Sequence, residues 1–351
     1  MAKNSASTFV AFRTYSIASV AQLRALQAAE RASSKGKLVS KRAAIAAASA
    51  VALSYVFPAD GPSLDALVRT QVESADWLER DLVDAVRGEA IGRHVGAEVV
   101  ELAKTDGYFD PFAGTVPTGP DKWFSSTIPP TPPTGVGIGD ARTWFLTSSD
   151  QFRPPPPPEF GSPEFVAALA EVRQISDTRT VEQDSIARFW GMGAGTFTPP
   201  GYWNLEASTL ALAYRMNERR ATQLLALLNM VAMDAIIASH DAKYAYWLIR
   251  PSQADPAITL SLPLPNFPAY PSNHATISAA MAEVLAKTFP REAERLRADA
   301  DEAALSRVLG GIHYNFDGTA GLALGRRIAR WVMMKERGVQ LDVANPSGDD
   351  L

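Results

Sequence analysis

Residues 206–249, EASTLALAYRMNERRATQLLALLNMVAMDAIIASHDAKYAYWLI, run without a single proline or glycine. A stretch this long, free of both breakers and rich in Ala, Leu and Met, reads as helix. It is longer than one ordinary helix, and Asn217 followed by Glu218 marks a turn at which two helices meet. Working upstream, the break TPPGYW at 198–203 precedes the run, Thr180 to Gln183 reads as a capping box, and Ser162-Pro163-Glu164 reads as an N-cap with proline at the first helical position. Farther up, 16–104 is helical throughout. Leu23, Leu26 and Ala29 recur at helical spacing, as do Leu64, Leu67 and Val68, and then Trp77, Leu78, Leu82 and Ala85. Downstream, helices are expected at about 274–288, 292–309 and 312–336. No alternation of strand type and no internal repeat stands out, so the expected fold is all-α, built of helical bundles.

The stretch 105–161 differs. IPPTPPTG (128–135) and RPPPPP (153–158) are incompatible with helix. Yet Trp123, Phe124, Trp144, Phe145 and Phe152 are too apolar for a solvated tether, which predicts an ordered segment laid over the helices. The chain is therefore divided, within one large helical domain (1–351), into an N-terminal helical half (1–104), the Pro-rich connection (105–161), a C-terminal bundle (162–338) and a tail (339–351).

Composition narrows the function classes. The net charge of −4 over 351 residues gives no electrostatic footprint for nucleic acid. Without cysteine there is no disulfide, thiolate metal site or thiol catalysis. The most apolar run, 43–56, falls short of the roughly 20 residues a membrane span needs and reads as a core helix. The first residues lack the long apolar core of a secretory signal, so the expectation is a chain without an export signal or one that has lost it; periplasmic export stays open. A homo-oligomer is compatible with all of this.

Three segments carry chemistry. In KYAYWLIRP (243–251), Lys243 and Arg250 stand seven apart, which on a helix places both cations on one face, with Pro251 as the stop. The apolar neighbours Tyr244, Tyr246, Trp247, Leu248 and Ile249 argue for burial, and buried cations want an anion. In FPAYPSNH (267–274), Ser272 falls at the N-cap of an amphipathic run, so the free N–H groups of Asn273 and His274 lie where helix N-termini receive anions. In SRVLGGIHYNFD (306–317), His313 and Asp317 are one helical turn apart, so the carboxylate can fix the imidazole tautomer. The break at Gly310-Gly311 lets Arg307 and His313 converge.

In this order the segments spell Lys-x6-Arg-Pro, Pro-Ser-x-His and Ser-Arg-x5-His-x3-Asp, all with internal spacings intact. That is the signature shared by vanadium haloperoxidases and PAP2-type acid phosphatases, and the chain is identified as resembling that superfamily. IARFW (186–190), TPPGYWN and the helical N-terminal half resemble its bacterial haloperoxidase branch. The resemblance implies that His313 is bonded to the oxyanion centre, as ligand of vanadium in vanadate or as the nucleophile that forms a phosphohistidine. It implies further that Asp317 orients His313 and that His274 is the acid–base group. Lys243, Arg250 and Arg307 would neutralise the oxyanion, with donors from Ser272 and Asn273. The family usually has glycine where Asn273 stands, so its side chain is expected to crowd the anion. His240 lines the pocket or is a plain core or surface histidine, and His94 is structural. Trp247 and Tyr270, with Trp190 and Trp203, either shape a substrate mouth or simply pack, and the pocket candidate Phe267 stands in a segment, FPAYPS, that resembles chloroperoxidases rather than bromoperoxidases.

Three functions follow as alternatives. The first is a haloperoxidase using vanadate, hydrogen peroxide, halide and an organic acceptor. The second is an acid phosphatase acting on phosphate esters without a cofactor. The third is a non-catalytic phosphate-binding helical protein.

Overall fold

A computed structural model describes residues 1–36, 38–73 and 79–336. The expectations placed on Trp77, Leu78, the Leu82 side chain and the 339–351 tail lie outside those residues. Among the described residues twelve α-helices run in chain order: α1 (Thr8–Ser34), α2 (Lys41–Val56), α3 (Gly61–Glu73), α4 (Glu79–Lys104), α5 (Pro163–Thr178), α6 (Val181–Phe189), α7 (Thr198–Ala213), α8 (Glu218–Tyr246), α9 (Pro251–Ala254), α10 (Asn273–Thr288), α11 (Ala293–Leu309) and α12 (Asn315–Glu336). The fold is all-α; the one extended pairing among the described residues is the isolated bridge of Lys122 with Leu248.

Local chemistry sets most helix starts. Ser162 accepts from the Phe165 N–H, Thr180 and Gln183 form the reciprocal capping box, and Asn217 accepts from the Arg220 N–H, separating α7 from α8. Two expectations are corrected. TPPGYW is no break, because Pro199 and Pro200 occupy the first turn of α7, where a missing N–H costs nothing. And α8 ends at Tyr246 rather than at Pro251: Trp247 adopts a left-handed conformation (φ 56°). The Trp123 N–H then bonds the Trp247 carbonyl, and the Ile249 N–H bonds that of Asp121, drawing the chain out of the helix.

Contacts divide the chain into two compact units, one comprising Met1–Ser16 and Ala103–Ala329, the other containing Ile17–Leu102. In the latter, the Ala-rich run of α2 is core: Ala43, Ala44, Ala47, Ala48, Ala50 and Ala52 are buried. Helix α4 lies nearly backbone to backbone against it, since a Cβ on Gly92 would stand 2.1 Å from the Ala44 carbonyl oxygen. Leu23, Leu26 and Ala29 are buried as their spacing predicts, and Val68 is too, whereas Leu67 faces outward at 63% exposure.

In the larger unit α8 is central and packs against α7 and α10, and α10 against α11. By length and composition α8 could cross a membrane, but 83% of its most apolar window is buried inside the protein, as in a core helix. The Pro-rich connection is ordered. Asp234 on α8 accepts from the N–H groups of Trp144, Phe145 and Leu146 at 2.7–3.0 Å, and Arg153 grips Asp241 with two 2.7 Å bonds. The Tyr246 and Tyr270 hydroxyls donate to the Pro154 and Pro155 carbonyls. The proline run, which lacks N–H donors, is thus held through its carbonyls.

Candidate active site

Lys243, Arg250 and Arg307 are all buried, at 0–2% exposure. Lys243 and Arg250 do share a site, but not through one helical face. Arg250 lies beyond the Trp247 turn, ahead of α9, and both cations stand over the Phe267 ring, at 5.2 and 5.1 Å from its centroid. Lys243 spends its ammonium donors on the carbonyls of Pro268, Ala269 and Pro271 at 2.6–2.9 Å, so it braces the loop leading into Ser272 and acts on the site as charge. Arg250 donates Nε to the Phe267 carbonyl and Nη1 to the Ile312 carbonyl, while its buried Nη2 has no partner. Arg307 uses Nε on Ser306 Oγ and Nη2 on the Ala187 carbonyl. Burial lowers all three: Arg250 to about 10, Arg307 to about 9, and Lys243 well below its ordinary value, with Arg250 adding repulsion.

His313 sits just ahead of α12 rather than on it, in the turn made by Gly311, whose φ of +78° would strain any other residue. Asp317, in the first turn of α12, reaches back. Its Oδ2 takes the His313 Nδ1 proton at 2.7 Å and the Tyr314 N–H at 3.1 Å. Because a carboxylate oxygen accepts, Nδ1 carries the proton and Nε2 presents a lone pair, with Arg250 Nη1 at 3.1 Å from it. Burial, then Arg250 and Lys243, hold His313 well below the usual histidine range, so it is neutral. Burial raises Asp317 to about 7 while Lys243 and Arg250 pull it down, and its Oδ1 is buried without a partner.

Ser272 caps α10, accepting from the Ala275 N–H at 3.4 Å, and its own N–H bonds the Asp317 carbonyl, which ties the two histidine-bearing segments together. Asn273 and His274 follow as the first helical residues, so their N–H groups have no intrahelical partner. His274 has its Nε2 buried with no partner. Burial, then Arg307, hold it well below the usual range. That Arg307, Lys243 and Arg250 all act on both histidines brings the three sequence segments into one electrostatic site.

Asn273 does not crowd this site. Its Oδ1 accepts from Ser239 Oγ at 2.7 Å and its Nδ2 meets His240 Nε2 at 3.0 Å, so both ends of the amide are occupied by α8. His240 is fully buried, with Nδ1 at 2.7 Å from the Gly135 carbonyl. Burial and the neighbouring Lys243 push it down to about 3. Phe267 joins the site as the ring beneath the two cations. Trp247 instead packs with Tyr244, Phe112 and Trp123, Tyr270 lies in a core cluster with Phe165 and Tyr314, and Trp203 bonds Ser278 in the interior. His94 is exposed beside Glu98. Ser239 and Gly135 were invisible to sequence reasoning, and no local pattern marks them.

Three buried cations face a single carboxylate, which leaves a surplus of two positive charges if all are ionised, and Arg250 Nη2 and His274 Nε2 are unpaired donors or acceptors beside it. Such a cluster fits a dianionic tetrahedral or trigonal-bipyramidal oxyanion, and phosphate and vanadate both qualify.

The fold is that of vanadium haloperoxidases. The chain superposes on the crystal structure of the first bacterial vanadium-dependent iodoperoxidase with TM-score 0.80, at 24% identity, covering 95% of this chain and 93% of that one. On a holo-type bacterial vanadium-dependent chloroperoxidase the TM-score is 0.71 at 13% identity, covering 95% and 93%. Residues 223–338 match the family model of the PAP2 superfamily. A non-specific acid phosphatase of Providencia stuartii is 31% identical over 171 residues, covering 46% of this chain and 65% of the phosphatase, just under two thirds of that relative's length.

Proposed function

We propose that this protein is a vanadium-dependent haloperoxidase that oxidises halide with hydrogen peroxide at a His313-bound vanadate. The observation that carries the reading is the pairing of surplus buried positive charge with a histidine whose Nε2 is kept unprotonated: Asp317 fixes the proton on Nδ1, burial and then the neighbouring cations disfavour a second proton, and Nε2 meets only the Arg250 Nη1 donor at 3.1 Å. Such a nitrogen is a ligand or nucleophile ready at neutral pH. Vanadate, when bound, would supply the activation of peroxide toward halide. The chain supplies the rest. Arg250 Nη2, Arg307 and the head of α10 donate to the oxyanion, Lys243 lends charge, and His274 Nε2 is the atom placed to take or return a proton. Likeness in fold to the peroxidases over 95% of the chain favours this reading.

Acid phosphatase is the second reading, favoured by the 31% identity to the Providencia enzyme; there His313 would attack phosphorus and His274 protonate the leaving alcohol. One paired assay separates them. Halogenation of an activated diketone by peroxide with iodide, bromide or chloride is measured before and after orthovanadate is added, beside p-nitrophenyl phosphate hydrolysis. Vanadate-dependent halogenation with feeble hydrolysis is expected. Hydrolysis that vanadate inhibits, without halogenation, overturns the peroxidase reading. His313→Ala should lower either activity on the order of 10³-fold or more, and full retention would remove the site assignment.

A further inference from the structure

We propose that His240 is a positioning residue that holds the Asn273 side chain clear of the bound oxyanion, and that the Pro-rich connection sets its orientation through Gly135. The inference rests on the reading of the pocket as an oxyanion site and says what keeps that pocket open in this chain.

The hydrogen-bond directions leave no freedom. A carbonyl oxygen only accepts, so the 2.7 Å contact with Gly135 places the His240 proton on Nδ1. Nε2 is then an acceptor, and Asn273 must present its Nδ2 there, at 3.0 Å. That leaves Oδ1 for the Ser239 hydroxyl at 2.7 Å. The relay runs from Asn273 through His240 to the Gly135 carbonyl, and it crosses from the head of α10 to the Pro-rich connection. Gly135 is required for it: its φ is +78°, and a Cβ would stand 2.8 Å from His240 Cε1. The connection is pinned at the residue just before this point, since the Thr134 N–H bonds the Asn266 carbonyl and the Tyr244 hydroxyl bonds the Thr134 carbonyl. Phe9 meets the His240 ring edge-on at 5.0 Å and Phe267 lies 5.8 Å from it, which leaves the ring little room to turn.

Asn273 is the first residue of α10, between Ser272 and His274, so its side chain departs beside the very N–H that faces the anion. Without the Nε2 acceptor, Nδ2 would be a buried donor with no partner, and the amide gains by turning. The surplus of positive charge around Lys243 and Arg250 attracts its Oδ1. Turned that way, the amide oxygen competes with the anion for the same donors.

The test is a double-mutant cycle on the full chain, with orthovanadate and inorganic phosphate as calorimetric titrants. His240→Phe keeps the ring and removes both hydrogen bonds; it should weaken both anions about tenfold, the scale of one unpaired buried donor. Asn273→Gly keeps the backbone donor, removes the amide and serves as the reference for the cycle. The double variant should match Asn273→Gly, recovering what His240→Phe lost, which a merely structural histidine would not do. His240→Gln, able to accept from Asn273 and donate to Gly135, should bind like the parent. If His240→Phe does not fold, Gly135→Ala displaces the same ring and should show the same loss with the same rescue. Unchanged or tighter binding in the single variant, or a loss that persists when residue 273 is glycine, overturns the proposal. Failure of the unaltered protein to bind either anion overturns the oxyanion reading itself, and this proposal with it.

Discussion

Asp234 and Asp317 are both fully buried carboxylates in the same helical unit, and they are provided for in opposite ways. Asp234 faces the Pro-rich connection, where three backbone N–H groups saturate its two oxygens. Asp317 faces the candidate active site, with Oδ2 shared between His313 and Tyr314 and Oδ1 left without a partner. Burial raises both, Asp234 to about 6 and Asp317 to about 7, but the opposing influence is backbone hydrogen bonds in the first and the cations Lys243 and Arg250 in the second. A satisfied buried carboxylate fixes chain; an incompletely satisfied one among surplus cations is organised around something not part of the chain.

The sharpest way to break that comparison is Asp317→Asn. The amide can donate to His313 Nδ1 and so stabilise the tautomer that blocks Nε2. Turnover should fall on the order of 10³-fold, with the melting temperature little changed; steady-state kinetics beside thermal unfolding check both. Asp234→Ala should do the reverse. It strands three N–H groups, one buried and two part-buried, and should cost about 3 kcal/mol, read by denaturant unfolding at pH 7, while the folded fraction keeps its affinity for orthovanadate.

A smaller effect tests whether His240 belongs with the satisfied group. Its pKa is depressed to about 3 in the fold, so between the unfolded value of 6.5 and 3 the unfolded chain binds the extra proton. The stability from keeping it neutral is complete above 6.5 and is lost as pH falls through that window, at about 1.4 kcal/mol per pH unit. Unfolding at pH 7 and pH 5 should therefore differ less in His240→Phe than in the parent, by about 2 kcal/mol. An equal difference in the two proteins would mean that His240 is protonated in the fold.

What could be read early was local. Ser162, Thr180, Asn217 and Ser272 cap the helices that their spacing announces, because a cap is decided within four residues. His313 and Asp317 meet for the same reason, although the helix begins only at Asn315. TPPGYW failed as a break because proline is read locally as a breaker, yet it is tolerated in a first turn.

The all-α class and the order of the candidate site residues are legible along the chain, since helix signals, breakers and motif spacings act over short distances. Long-range packing sets the rest: Arg250 reaches Lys243 around a left-handed Trp247, Lys243 braces three carbonyls, and Asn273 turns to Ser239 and His240. Those outcomes depend on partners 25–34 positions away or more, and the Gly135–His240 contact spans 105. Which donor a buried acceptor receives is settled only when the whole core has closed around it.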